Sequence, residues 1–194
     1  MANFEIADKI TRGNEGGWQN DPADRGNSRN GLGTYRGIAS HFHPAWKGWP
    51  IVAAEIAKLG PQPKYDTKAY YAFARSLNSV LAANDALQAM VRSFYKVNFW
   101  DALRLDDFKS QELANKVYDS SVNQGTGAAA IMLQKVLGVT VDGGIGPVTL
   151  AAVNKQDGAE LAEKFKHARI AKYKRLVEAR PDQAKYLDVW LARC

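Results

Sequence analysis

The chain has 194 residues, 46% hydrophobic and 24% charged, enough for one domain with a substantial core or one domain with a small appendage. The net charge of +6 favours an anionic partner (nucleic acid, a membrane surface or an envelope polymer) unless the Lys and Arg residues simply solvate helix faces. No run reaches the roughly 18 apolar residues of a membrane span, the one cysteine, Cys194, excludes an internal disulfide framework, and His41, His43 and His167 lack zinc spacing, so neither a metal nor a cofactor is expected.

Residues 3–14 read as a helix, with Phe4, Ile6, Ala7 and Ile10 recurring at helical spacing. Its start lacks a basic region, a continuous apolar stretch and a small-residue cleavage site, so no signal peptide is read there. Glu15-Gly16-Gly17-Trp18 closes the pattern. Gly16 and Gly17 can take the positive φ that ends a helix. Residues 18–49 are full of turn signals and aromatic side chains, which suits an ordered functional segment with a short hairpin rather than disorder.

Pro50 opens a helix over Ile51–Leu59 that Gly60 closes, and Asp66 or Thr67 caps another running to Leu81. Asn84 or Asp85 caps the next, whose stripe is Leu87, Met90, Val91, Phe94 and Tyr95 and which ends near Trp100. Ser110 starts a segment with Leu113, Val117 and Val122; with Val117 and Val122 inward, its polar groups would cluster near the helix end. Thr126 starts one with Ile131, Leu133, Val136 and Leu137, stopped by Gly138. Val139-Thr140-Val141 suits a short extended segment before the Asp142-Gly143 turn. Pro147 opens a helix to about Val153, and Asp157 with Glu160 forms a capping pair for a long helix towards Arg180-Pro181. Pro181 opens a last helix through Trp190. The sum is a mainly α fold of seven to nine helices, with at most a small hairpin between the first and second.

Among residues that carry chemistry, Glu15 comes first. At a helix C-terminus beside Trp18 its carboxyl faces the negative end of the macrodipole and an apolar ring, and both favour the protonated form a general acid needs. The alternative is an ordinary exposed glutamate. Asp21 and Asp24 follow across turns, either as a partner carboxylate of the glycosidase type or as turn caps. Thr34, in Gly33-Thr34-Tyr35-Arg36-Gly37-Ile38, holds a water or a sugar hydroxyl, or caps the next segment. Tyr118-Asp119-Ser120-Ser121-Val122-Asn123-Gln124-Gly125 is unusually polar for a core helix; it offers sugar-binding groups or merely a C-terminal cap. The densest basic cluster is Lys164, Lys166, Arg169, Lys172, Lys174 and Arg175. No nucleophile elbow, phosphate loop or dinucleotide fingerprint occurs.

Glu15-Gly16-Gly17-Trp18, then Asn20-Asp21-Pro22 and Asp24-Arg25-Gly26, resembles the opening of glycoside hydrolase family 108, the N-acetylmuramidases of phage endolysins and secretion-associated bacterial enzymes. Thr34 to Ile38, Phe94-Tyr95 through Phe99-Trp100-Asp101, Val117 to Gly125, Leu133-Gln134, Leu137-Gly138, Asp142-Gly143, Ile145-Gly146-Pro147, Thr149-Leu150 and Val189 to Arg193 continue the likeness in order. The resemblance implies a lysozyme-like helical fold, with residues 1–105 as the catalytic region and 106–194 as a helical peptidoglycan-binding-like region. It implies cleavage of the β-1,4 bond between N-acetylmuramic acid and N-acetylglucosamine. By position Glu15 is the catalytic acid, Asp24 and Thr34 hold the attacking water, and Trp18, Tyr35, Tyr118, Asn123 and Gln124 bind substrate.

The implied partner is the peptidoglycan glycan strand rather than nucleic acid, and the place of action is the bacterial wall. A cytoplasmic product without a signal peptide would depend on a holin or a secretion system to reach it. Two other readings stay open: a lytic transglycosylase on the same bond, and a non-catalytic envelope- or nucleic-acid-binding module.

Overall fold

The computed structural model describes residues 1–12, 16–27 and 31–194. The chain forms two compact units, Met1–Gly13 with Tyr95–Cys194, and Asn14–Phe94. Among the described residues there are nine α-helices and one small sheet, so the fold is mainly α, as the periodicities indicate.

Helix α1 (Phe4–Arg12) opens the first unit. Its buried face is Phe4, Ala7, Asp8 and Thr11, the i, i+3, i+4, i+7 stripe of a helix. Ile6 and Ile10, expected in that stripe, are 49% and 59% exposed. The polar pair displaces them, because Asp8 is fully buried, ion-paired to Arg12 at 2.6 Å and hydrogen-bonded by the Tyr118 hydroxyl at 3.1 Å.

The second unit carries β1 (Trp18–Gln19), β2 (Thr34–Tyr35), β3 (Ile38–Ala39), α2 (Trp49–Leu59), α3 (Lys68–Ala82) and all but the last residue of α4 (Asp85–Tyr95). The antiparallel order is β1-β2-β3. Arg36 and Gly37 join β2 to β3 with φ of 45° and 75°. Two successive positive φ values make the turn whose twist matches a hairpin. Thr67 caps α3 by accepting from the Tyr70 N–H, and Asn84 accepts from the Leu87 N–H at the start of α4. Such caps contribute about 1 kcal/mol each. Of the expected α4 stripe, Leu87, Val91 and Tyr95 are buried, while Met90 and Phe94 are half-buried.

Past Tyr95 the backbone widens into a π-turn over Lys96–Trp100, and a 3-10 turn over Asp101–Leu103 carries the helical path on until left-handed Arg104 stops it. A second 3-10 turn leads to α5 (Gln111–Gln124), capped by Ser110, whose Oγ accepts from the Leu113 N–H. Helices α6 (Thr126–Leu137), α7 (Pro147–Lys155), α8 (Gly158–Ala179) and α9 (Leu187–Ala192) complete the first unit. Helix α5 is its centre and packs against α1, α6 and α8. Phe4, Trp100 and Tyr118 meet edge to face with all three centroid separations at 5.7 Å.

Three expectations change here. Val122 is only half-buried, whereas Asp119, Ser120 and Ser121 are buried. Asp119 enters the core because Arg169 and Arg193 meet it at 2.6 and 2.9 Å. Val139–Val141 forms no strand; the Asp142 and Gly143 N–H groups instead donate to the buried Gln134 side chain, at 3.1 and 2.9 Å. Pro181 opens a 3-10 segment to Tyr186 before α9 takes over. The caps at Asp157 and Gly138 form as their residue types dictate: Asp157 accepts from the Ala159 and Glu160 N–H groups, and Gly138 is left-handed.

Candidate active site

Strand β1 alternates its side chains, so Trp18 enters the core and Gln19 reaches the following loop. Trp18 is 2% exposed and packs on Phe73 and Tyr70 with centroids at 5.8 and 6.0 Å; its Nε1–H donates to the Leu32 carbonyl at 2.7 Å. Asn78 on α3 grips the Trp18 backbone twice. The Trp18 N–H donates to Oδ1 at 2.5 Å, and Nδ2 donates to the Trp18 carbonyl at 3.4 Å. Gly17 lies against the same carboxamide, which a Cβ at that position would overlap. Its φ is not left-handed. Close approach, not a helix-ending φ, therefore explains this glycine. Glu15, three positions before Trp18, lies outside the described residues.

The loop after β1 is organised by side-chain amides. Gln19 Nε2 donates to Asp24 Oδ2 at 2.7 Å, and the Gly26 N–H donates to Asp24 Oδ1 at 2.8 Å. Gln19 Oε1 accepts from the Asp21 N–H at 2.7 Å and from Asn27 Nδ2 at 3.0 Å. Thr34, on β2, donates its hydroxyl to Asn27 Oδ1 at 2.8 Å. Asp24 Oδ1 and Thr34 Oγ1 stand 3.1 and 3.6 Å from the point where a Cβ on Gly26 would sit. These two predicted residues thus share one patch, with Asp24 exposed and Thr34 half-buried. Asp21 serves its turn by accepting from the Ala23 N–H at 2.8 Å. It also takes the Tyr65 hydroxyl, and that hydrogen bond, with desolvation and the Asp21 charge, pushes Tyr65 up to about 12.

Tyr35, 1% exposed, holds its hydroxyl toward Gln88 Nε2 at 2.9 Å and Arg36 Nε at 3.4 Å, both of which donate to it. In the first unit Tyr118 is fully buried. Desolvation first, then the charge and hydrogen bond of Asp8, drive its hydroxyl far above the ordinary tyrosine range. Asn123, exposed, accepts from the Tyr173 hydroxyl at 2.7 Å, and Gln124 Nε2 donates to the same oxygen at 2.9 Å. Trp18, Tyr35 and Tyr118 therefore present no open ring face, and their polar atoms face protein partners.

Sequence reasoning missed Gln19, Asn27 and Asn78. Gln19 carried a faint signal, since it follows a buried Trp in a strand. Asn78 carried none, being one polar residue among several on α3.

The family model described as glycosyl hydrolase 108 matches residues 9–125. That span holds Glu15, the Asp24–Thr34 patch and the whole second unit. The chain belongs to glycosyl hydrolase family 108. A second family model, described as a predicted peptidoglycan domain, matches residues 128–194 of this family 108 chain. Among solved structures, SagA of Brucella abortus is similar over 98% of this chain and 88% of its own, at 26% identity and a TM-score of 0.62. Among curated proteins none matches. The family 108 protein is thus a glycoside hydrolase whose partner is peptidoglycan. No helix among its described residues is long and apolar enough to cross a membrane.

Proposed function

We propose that the chain is an N-acetylmuramidase of lysozyme type, cleaving the β-1,4 bond between N-acetylmuramic acid and N-acetylglucosamine, with Glu15 as general acid. The observation that carries the reading is the Asp24–Thr34 patch within the family 108 match: a solvent-facing carboxylate, fixed at both oxygens by neutral donors, beside a hydroxyl. A glycosidase needs an acid to protonate the leaving oxygen and a second group to meet the oxocarbenium-like centre or its water. Glu15 protonates the scissile oxygen, and a lysozyme-type acid does so with a pKa lifted to about 6. Asp24 accepts a hydrogen bond from the water that attacks C1, with Thr34 as a second contact to that water. Gln19 and the Gly26 N–H hold Asp24 in that orientation.

Trp18 and Tyr35 support the walls of the site, and Tyr118 supports the frame of α5. Asn123 and Gln124 act at the exposed end of α5 in contacts to the glycan. Residues 1–105 perform the chemistry and residues 106–194 hold the wall polymer. Bacteriolysis follows once a holin or a secretion system delivers the protein to the wall.

The test is mass spectrometry of digested peptidoglycan together with Glu15→Gln. Expected are fragments with reducing N-acetylmuramic acid ends, and a loss of at least about 100-fold in their release for Glu15→Gln at unchanged Tm. A fully active Glu15→Gln protein refutes the assignment. Fragments ending in 1,6-anhydro sugars select a lytic transglycosylase instead, and steeply salt-dependent DNA binding without sugar release selects a binding module.

A further inference from the structure

The basic cluster of α8 is not one surface. Lys164 pairs with Glu160 at 2.7 Å, Lys166 pairs with Glu163 at 3.3 Å, and Arg169 is buried against Asp119. Lys172 and Arg175 go elsewhere. With Lys135 of α6 they edge a groove of about 610 Å³ between α6 and α8. Its floor is Ala128, Ile131, Met132, Val136, Ala168 and Ala171. Ile131, one of the apolar positions read for this helix, is 38% exposed on this floor.

Two properties of the groove select its occupant. The floor offers aliphatic groups and the Met132 thioether. It has no aromatic face on which a sugar ring would stack and no amide or hydroxyl to take sugar hydroxyls, so it suits small apolar side chains rather than glycan. The rim is uncompensated: among the described residues, none of Lys135, Lys172 and Arg175 forms an ion pair. Desolvation, then the charges of Arg169 and Lys135, hold the Lys172 ammonium below its usual range. An arriving carboxylate relieves both the repulsion and the lost hydration. Every lining residue also falls within the span matched by the peptidoglycan domain.

We propose that this groove binds the peptide stem of peptidoglycan, a short acidic peptide whose alanyl methyls lie on the apolar floor while its carboxylates meet Lys135, Lys172 and Arg175. This rests on the reading of the chain as a peptidoglycan hydrolase, and it divides the labour of recognition: the sugar strand goes to the catalytic patch, the peptide to the helical groove. The contact anchors the enzyme on cross-linked wall and is dispensable on naked glycan.

The experiment is calorimetric titration of the full chain with the glycan-free tetrapeptide L-Ala–γ-D-Glu–diaminopimelate–D-Ala. Peptide-free glycan strands and anionic lipid vesicles serve as the other probes. The tetrapeptide is expected to bind, and to weaken about tenfold or more in the Lys135→Ala/Lys172→Ala/Arg175→Ala variant and when its carboxylates are amidated. Ala171→Trp fills the groove with the charges intact and is expected to lose the peptide equally. Circular dichroism establishes that each variant is folded.

Tetrapeptide binding that both variants leave unchanged overturns the proposal. So does glycan or vesicle binding that the same variants abolish in place of peptide binding. If the tetrapeptide fails to bind while sugar ends are still released from walls, the groove inference falls and the hydrolase reading stands. If the tetrapeptide binds the groove but no glycan is cleaved, the hydrolase reading falls alone.

Discussion

Asn78 is the most informative residue to remove outside the catalytic groups themselves. Asn78→Ala deletes both side-chain hydrogen bonds to the Trp18 backbone, the N–H contact at 2.5 Å and the carbonyl contact at 3.4 Å. Intramolecular hydrogen bonds contribute about 0.5–1.5 kcal/mol each, so the loss is about 1–3 kcal/mol. For a chain of this size, with about 2–4 °C per kcal/mol, Tm falls by about 2–12 °C. The effect on catalysis is expected to be larger than the effect on stability. Trp18 ends the segment that follows Glu15, and a displacement of about 1 Å at a reacting group costs on the order of 100-fold. Release of reducing ends from peptidoglycan should therefore show kcat lowered about 10- to 100-fold with KM little changed.

Asn78→Asp keeps the acceptor for the Trp18 N–H and should recover part of the rate. Gly17→Ala probes the same contact from the other side, since its Cβ overlaps the carboxamide. In the Asn78→Ala background that overlap disappears, so the double variant should be more stable than the two single losses add up to. A kcat within about twofold of wild type for Asn78→Ala, or strict additivity of the pair, refutes the positioning role.

Two further outcomes follow from buried charge. Arg169→Met strips one partner from Asp119 in the core and should cost about 3–5 kcal/mol in urea unfolding; a change below about 1 kcal/mol contradicts the network. The Tyr118 hydroxyl, raised in the folded chain by desolvation and Asp8, contributes stability that is complete below the unfolded tyrosine value near 10 and declines above it. Tyrosinate absorbance followed with circular dichroism should show a fraction of the eight tyrosines ionising only as helix is lost. Full ionisation with the helices intact would contradict that placement, and Tyr118→Phe should remove part of the alkaline sensitivity.

The sequence alone determined the local structure. The caps at Thr67, Ser110 and Asp157, the stop at Gly138 and the helix starts at Pro50 and Pro147 act within a few residues, and the structure forms each where the residue types require it. The ordered run of motifs from Glu15 to Arg193 was likewise legible, because a family likeness needs only residue identities in sequence.

What tertiary structure alone decided is which polar groups go inside. Ile6 and Ile10 obey helical spacing as well as Ala7 does, yet Asp8 takes the buried position because Tyr118, 110 residues away, meets it. Asp119 is buried only because Arg169 of α8 and Arg193, just past the end of α9, meet it there. Gly17 is required by Asn78, which stands 61 positions later in the chain. On α8, Lys164 and Lys166 pair with glutamates of the same helix, but Arg169 is buried by Asp119 of α5, and Lys172 and Arg175 edge a groove that only the approach of α6 creates. Capping and turn formation are near-neighbour physics and can be read from sequence. The desolvation of a charge, and the partner that compensates it, exist only once distant segments meet.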